Sequence, residues 1–210
     1  MFISRHFVFI HIPKTGGNFV REILENHAPE SWELQRLEDH ATHEQIPATH
    51  RELPRLSMVR NPFSWHVSWF HFQQKTPSDF FNEISQGGTL DFGATMRRAY
   101  SDGGLLANTS GALTETLLEA LGQGLMGARI GKMEDMRTEL PRLLAGCTTV
   151  PKPMQEAIEQ LPRQNTSQHQ HYSTYYDEEL RDIVRTKDDP VFDFFGYEWE
   201  DAPASSNAGS

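Results

Sequence analysis

An α/β domain with a mostly parallel central sheet flanked by helices is the fold class that this sequence predicts, and three observations predict it. Apolar, β-branched and aromatic stretches at His6–Ile12, Leu56–Val59 and Arg129–Met133 have the length and composition of strands. The first two are followed by a turn or cap signal and a helical apolar pattern, and the third runs directly into one at Met136–Leu144. Strand–loop–helix units that recur in this way bury a sheet between helices. The chain of 210 residues, 37% of them apolar, suffices for one domain with a core.

The elements follow in order. Pro13 ends the first strand, and Gly16-Gly17 form a turn. Phe19, Val20, Ile23 and Leu24 then recur on one helical face as far as about His27. Residues 28–54 are polar and contain three prolines. After Leu56–Val59, Asn61-Pro62 reads as N-cap and first-turn proline of a helix whose apolar stripe is Trp65, Trp69 and Phe72. Glycine pairs punctuate residues 73–128, with a helix expected over Thr114–Leu121. Thr174-Tyr-Tyr-Asp177 has the form of a capping box opening a helix to about Thr186. Residues 1–201 are therefore expected to form a single domain, with 73–128 as a variable insertion and 202–210 as a disordered tail.

The charge excludes some functions. The net charge is −10, and residues 151–210 hold −7 of it (5 Lys/Arg against 12 Asp/Glu), whereas residues 1–70 are nearly neutral (7 against 8). A global acidic field argues against a nucleic-acid partner. It allows a small anionic ligand held by local donors in the first third. The lone Cys147 makes no internal disulfide, no apolar run is long enough to span a bilayer, and the first stretch is too short for a signal peptide. A cytoplasmic location follows as the expectation.

Two motifs carry chemistry. In Ile10-His-Ile-Pro-Lys-Thr-Gly-Gly-Asn18 a turn joins a buried strand to a helix N-terminus, where unpaired N–H groups attract an anion. Lys14 adds a charge, Thr15 a hydroxyl, and Gly16-Gly17 let the backbone close on a ligand. This is not a Walker A sequence, because Lys14 precedes the glycines. In Met58-Val-Arg-Asn-Pro-Phe-Ser-Trp-His-Val-Ser68, Arg60 stands at the carboxyl end of a strand, where ligands of open α/β sheets collect. Ser68 lies about two helical turns beyond Asn61. An arginine fork plus a hydroxyl suits a terminal phosphate. Taken singly, each motif leaves a second reading open: a solvent-facing lysine in an ordinary connection, and a surface arginine paired with a carboxylate.

Together the two motifs resemble the sulfotransferases, closest to the branch that includes the carbohydrate and heparan sulfate enzymes. The resemblance implies a P-loop-like three-layer α/β fold and the donor 3′-phosphoadenosine 5′-phosphosulfate. Carried over by residue, Lys14, Thr15, Gly16, Gly17 and Asn18 would grip the 5′-phosphosulfate, and Arg60 and Ser68 the 3′-phosphate. His40-Ala-Thr-His43, Ile130-Gly-Lys-Met-Glu134, Arg163-Gln-Asn-Thr-Ser167, Tyr175-Tyr176 and Phe195-Gly-Tyr197 are similar to further family segments. Arg163 is thereby another candidate for the 3′-phosphate, with plain solvent exposure as its alternative. Asn18, where the family usually has Thr or Ser, and Phe63-Ser64-Trp65 depart from the pattern.

Sulfuryl transfer resembles phosphoryl transfer, with in-line attack through a loose transition state. Lys14 suits the charge that grows on the leaving phosphate, and a histidine suits the acceptor's proton. The family-like segment points to His40 as base, with His43 and an unidentified carboxylate as alternatives. No metal is expected to take part, and Glu134 and Asp135 read as capping or pairing groups. The acceptor is a hydroxyl-bearing small molecule or, by resemblance, a glycan. A P-loop-like nucleotide kinase and a non-catalytic adenosine bisphosphate-binding relative are the competing readings; the kinase would want a lysine after the glycines and an acidic Mg²⁺ ligand.

Overall fold

The computed structural model describes residues 1–101, 103–122, 124–162 and 169–202. In chain order the elements are β1 (Phe2–Ile3), β2 (Val8–Phe9), α1 (Gly17–His27), β3 (Gln35–Arg36), β4 (Arg55–Val59), α2 (Pro62–Lys75), α3 (Asp79–Ile84), α4 (Phe92–Tyr100), α5 (Ala112–Leu121), β5 (Arg129–Lys132), α6 (Met136–Ala145), α7 (Lys152–Gln160), α8 (Glu178–Lys187) and α9 (Asp189–Phe195). They group into two compact units, Met1–Asn61 with Thr114–Thr166 and Pro62–Leu113 with Ser167–Ser210. The stretch 73–128 is thus divided at Leu113. The expected disordered tail, from 203 onward, lies outside the described residues.

All five strands belong to the first unit, in the order β3-β1-β2-β4-β5. The α/β class holds, and the sheet is mixed. β2, β4 and β5 run parallel, while β1 is antiparallel to β2 and β3. The cause is the connection between β1 and β2. Only Ser4–Phe7 join them, far too few residues for a crossover, so the pair can only be a hairpin. Ser4 Oγ fixes that turn by accepting the N–H groups of His6 and Phe7 at 3.1 and 3.0 Å. β2 is also shorter than the apolar run His6–Ile12, although Ile10 N–H still donates to Leu56 O at 2.8 Å.

Strand alternation decides what the sheet buries. Phe7 and Phe9, with Leu56 and Met58, face a core that takes Phe19, Val20, Ile23 and Leu24 from α1, Leu140, Leu143 and Leu144 from α6, and Met154 and Ile158 from α7. Each of these side chains contributes about 1.5–3 kcal/mol by leaving water. Three helices are thereby held against one sheet face, and α1 is fixed with its N-terminus at the carboxyl end of β2. Arg137 on α6 ties down the end of α7 by donating to Ile158 O at 2.7 Å and Leu161 O at 2.5 Å.

The second unit is helical and aromatic. Phe63, Val67 and Phe70 of α2 pack with Phe81 of α3, Phe92 and Met96 of α4, Leu180 and Val184 of α8, and Phe192 of α9. The stripe expected on α2 is corrected here: Trp65 is buried, but Phe72 is 45% exposed and Phe63, Val67 and Phe70 take the core positions. The expected capping box is shifted too. Asp177 is itself the N-cap of α8, its carboxylate accepting Leu180 N–H at 3.0 Å, while Thr174 Oγ1 donates to His171 O in the preceding turn. A helix start needs its acceptor three residues before the N–H it satisfies, and Asp177 meets that geometry.

Inside this unit a buried histidine–carboxylate hydrogen bond crosses from α2 to the α8–α9 junction. His66 Nε2 lies 2.8 Å from Asp188 Oδ2, both side chains almost fully enclosed. Beside it Lys187 Nζ donates to the carbonyls of Leu106, Ala107 and Thr109, and Gly111 N–H donates to Lys187 O. The connection between α4 and α5 is pinned by these bonds.

Candidate active site

Three parallel strands end at one edge of the sheet in the first unit, and each is followed there by a charged side chain, Lys14, Arg60 or Glu134. After β2 the chain turns sharply. Thr15, 1% exposed, donates its hydroxyl to Ile12 O at 2.8 Å. That inward bond closes the turn and leaves Lys14 and Gly16 on either side of it. Both are left-handed, with φ of 66° and 84°. Gly16 takes this conformation freely; for Lys14 it is an uncommon state worth about 1–3 kcal/mol of strain, the kind of outlier that clusters at functional sites.

The turn opens directly into α1. Its first helical bonds are those of Phe19 and Val20, whose N–H groups donate to Gly16 O at 3.0 and 3.3 Å. The N–H groups of Gly17 and Asn18 come before these bonds, at the positive end of the helix dipole. Gly17 is glycine for room. A Cβ there would lie 1.8 Å from His11 Nε2. Gly16 is crowded as well: its Cβ would stand 2.6 Å from Met136 Cε.

The second strand end brings Arg60. Its Nη1 reaches Lys14 O at 3.4 Å, a long contact that nonetheless sets the guanidinium of the second motif against the backbone of the first. The third strand end brings Glu134, whose Oε1 accepts Asn61 N–H at 2.8 Å. Glu134 therefore links the ends of β4 and β5, in keeping with the pairing role read from the sequence.

Sequence reasoning passed over His11. Its ring is partly buried, lies against Gly17, and stacks at an offset on His40 with centroids 6.1 Å apart and planes at 26°. Burial, then the neighbouring His40, lowers its pKa from 6.5 to about 4, so it is neutral at pH 7. Its signal was present: His11 continues the parity of Phe7 and Phe9, one residue before the buried Ile12. A strand-end histidine reads as more strand until the glycine six residues on is placed beneath it.

The structure separates the two histidines of the family-like segment. His40 is exposed and faces His11. His43 is occupied: its Nδ1 lies 3.2 Å from Glu119 O, and a Cβ on Gly122 would fall 2.2 Å from its ring. Ser68 sits on α2 in the second unit, 3% exposed. Arg163 lies outside the described residues. Of the candidates read from the sequence, the first unit gathers Lys14, Thr15, Gly16, Gly17, Asn18 and Arg60 about one strand edge. His171 of the second unit is engaged with Ser173, its Nδ1 2.9 Å from Ser173 Oγ.

No family model matches the chain, and no curated protein matches it by sequence. Its fold is that of the sulfotransferases. The crystal structure of mouse sulfotransferase SULT7A1 complexed with PAP is similar with a TM-score of 0.52 and 13% sequence identity, over 91% of this chain and 85% of that one. At that identity the likeness concerns the fold, not a branch within it. No helix among the described residues is long and apolar enough to cross a membrane.

Proposed function

We propose that this protein is a sulfotransferase that moves the sulfuryl group of 3′-phosphoadenosine 5′-phosphosulfate to a hydroxyl acceptor. The observation that carries the reading is the left-handed Lys14 turn at the N-terminus of α1, with the Arg60 guanidinium drawn to its backbone. A charged side chain, helix-end N–H groups and an arginine at one strand edge suit a ligand with two separated phosphate-like groups. The fold shared with a PAP-bound sulfotransferase supports the same donor.

In this reading Lys14, Gly16, Gly17 and Asn18 hold the 5′-phosphosulfate. Thr15 contributes its backbone, since its hydroxyl is engaged with Ile12 O. For the 3′-phosphate, the resemblance of the motifs assigns Arg60, Ser68 and Arg163. The acceptor oxygen attacks sulfur in line, the bond from sulfur to the bridging phosphate oxygen breaks, and adenosine 3′,5′-bisphosphate leaves. Lys14 offsets the charge gathering on that oxygen, and His40 takes the acceptor's proton. The occupied ring of His43 supports His40 over it. No metal is needed for these steps. The acceptor side belongs to residues 73–128, and a glycan hydroxyl is the favoured acceptor class by the resemblance of the motifs.

The test is sulfate transfer from labelled donor to a panel of glycans and small hydroxyl compounds, with chelator present. Transfer that needs a specific divalent ion, or transfer of phosphate from ATP, would replace this reading with the kinase one. Adenosine 3′,5′-bisphosphate should also raise Tm more than AMP, which lacks the 3′-phosphate. His40→Ala should lower kcat about 10²–10⁴-fold, while His43→Ala should spare turnover and reduce stability.

A further inference from the structure

His11 neighbours both the proposed donor turn and the proposed base, and the mechanism above gives it no task. Its ring fills the space that a Cβ on Gly17, the first residue of α1, would need, and it stacks on His40. His40 itself is an exposed residue of the segment between β3 and β4. An exposed side chain on such a segment samples many rotamers, and a base that must meet one acceptor oxygen gains from being held.

We infer that His11 is a positioning residue: its ring, braced on Gly17, forms the platform that orients the imidazole of His40 beside the donor-binding turn. The inference rests on the sulfotransferase reading and deepens it by connecting the donor turn to the base. A neutral platform also suits the reaction. When His40 gains the acceptor's proton it becomes a cation, and the face of an uncharged ring tolerates a cation where a second charged ring would repel it. Burial and His40 both favour the neutral form of His11. The other charged groups felt at His11 are Asp39, which opposes neutrality, and Arg21 and the Met1 amino group, which favour it.

The role demands a flat neutral ring and no proton chemistry of its own, so two variants separate it from a packing role. His11→Ala removes the platform; His11→Phe keeps a ring that cannot titrate. The expected result is that His11→Ala lowers kcat about 10–100-fold, as misplacement of a reacting group does, with bisphosphate affinity within about 2-fold of the parent. His11→Phe should recover most of that loss. A loss of bisphosphate affinity matching the loss of kcat would show that His11 only shapes the donor turn. A His11→Phe protein as slow as His11→Ala would show that the ring face is not what matters. Either outcome overturns the inference, as does unchanged kcat in His11→Ala.

A second measurement does not need turnover. In proton–carbon NMR of the histidine rings, His11→Ala should move the His40 Hδ2 and Hε1 resonances, because a stacked ring shifts its neighbour. Unmoved His40 lines would refute the platform directly. If the parent protein transfers no sulfate and binds no bisphosphate, the proposed function fails, and the NMR arm still decides whether the two rings are coupled.

Discussion

Adding one methyl group at Gly17 tests the geometry of the site most directly. Glycine is a poor helix residue, and exchanging it for alanine ordinarily gains up to about 1 kcal/mol. Gly17→Ala should do the opposite. Its Cβ would stand 1.8, 2.1 and 2.5 Å from His11 Nε2, Cδ2 and Cε1. Carbon atoms in contact prefer about 3.5–4 Å, so the ring must withdraw by well over an ångström. Overpacking of this kind costs about 1–3 kcal/mol, which against that gain leaves a net loss of up to about 2 kcal/mol. For a chain of this size that lowers Tm by up to about 8 °C. Urea denaturation of the parent, Gly17→Ala, His11→Ala and the double variant measures the coupling. With His11 truncated the methyl group has room, so Gly17→Ala should become neutral or stabilising, a coupling of about 1–3 kcal/mol. The same loss in both backgrounds, or a stabilised single variant, would refute the close approach of His11 to the helix start.

Three other expectations can be checked on the folded protein. The native state keeps His11 neutral down to about pH 4, whereas the unfolded chain protonates it near 6.5, so the unfolded state holds more protons across that window and stability falls as pH drops through it. Between pH 7 and pH 5 the full effect is about 2 kcal/mol, nearer 1 once water at the open edge of the ring is counted, and His11→Phe should flatten that part of the pH profile of urea unfolding. Thr15→Val should cost about 1–2 kcal/mol by stranding the buried Ile12 carbonyl, while Thr15→Ser stays close to the parent; equal losses would remove the hydroxyl bond from the account. In the second unit, Asp188→Ala leaves His66 enclosed without its carboxylate and should cost about 1–3 kcal/mol in calorimetry, and a loss below about 0.5 kcal/mol would show the contact to be unimportant.

The parts of this fold that could be read from the sequence are those whose signals are local. Helix α1 has four apolar residues on one face, α2 opens on Pro62, and β4 is a short apolar strand bounded by polar residues; each forms close to where it was expected. Helix α4 was missed although Asp91 caps it by accepting Ala94 N–H and Phe92, Met96, Ala99 and Tyr100 share a buried face. Gly93 and the glycine pairs around it masked that periodicity. Helix α7 has only Met154 and Ile158 to bury, too few for a pattern to stand out. The antiparallel start of the sheet depends on a pairing between chain segments that no periodicity encodes. At the candidate site, Lys14 and Arg60 stand out in the sequence because their chemistry is written in one residue each. His11 does not, since its meaning lies in a contact with Gly17 and a stack on His40, 6 and 29 positions away.

The backbone of Lys14 has a consequence for descent. A left-handed residue is most at ease as glycine, and asparagine or aspartate comes next. Drift without selection for the lysine charge should therefore carry this position toward Gly or Asn, because either relaxes the turn and raises stability while leaving the fold intact. Lineages that keep the fold without the proposed activity would be recognised by that exchange, and those with the proposed transfer should retain the strained lysine. A survey of descendants in which Lys14 varies as freely as an exposed surface residue, with activity preserved, would show that the turn is scaffold and nothing more.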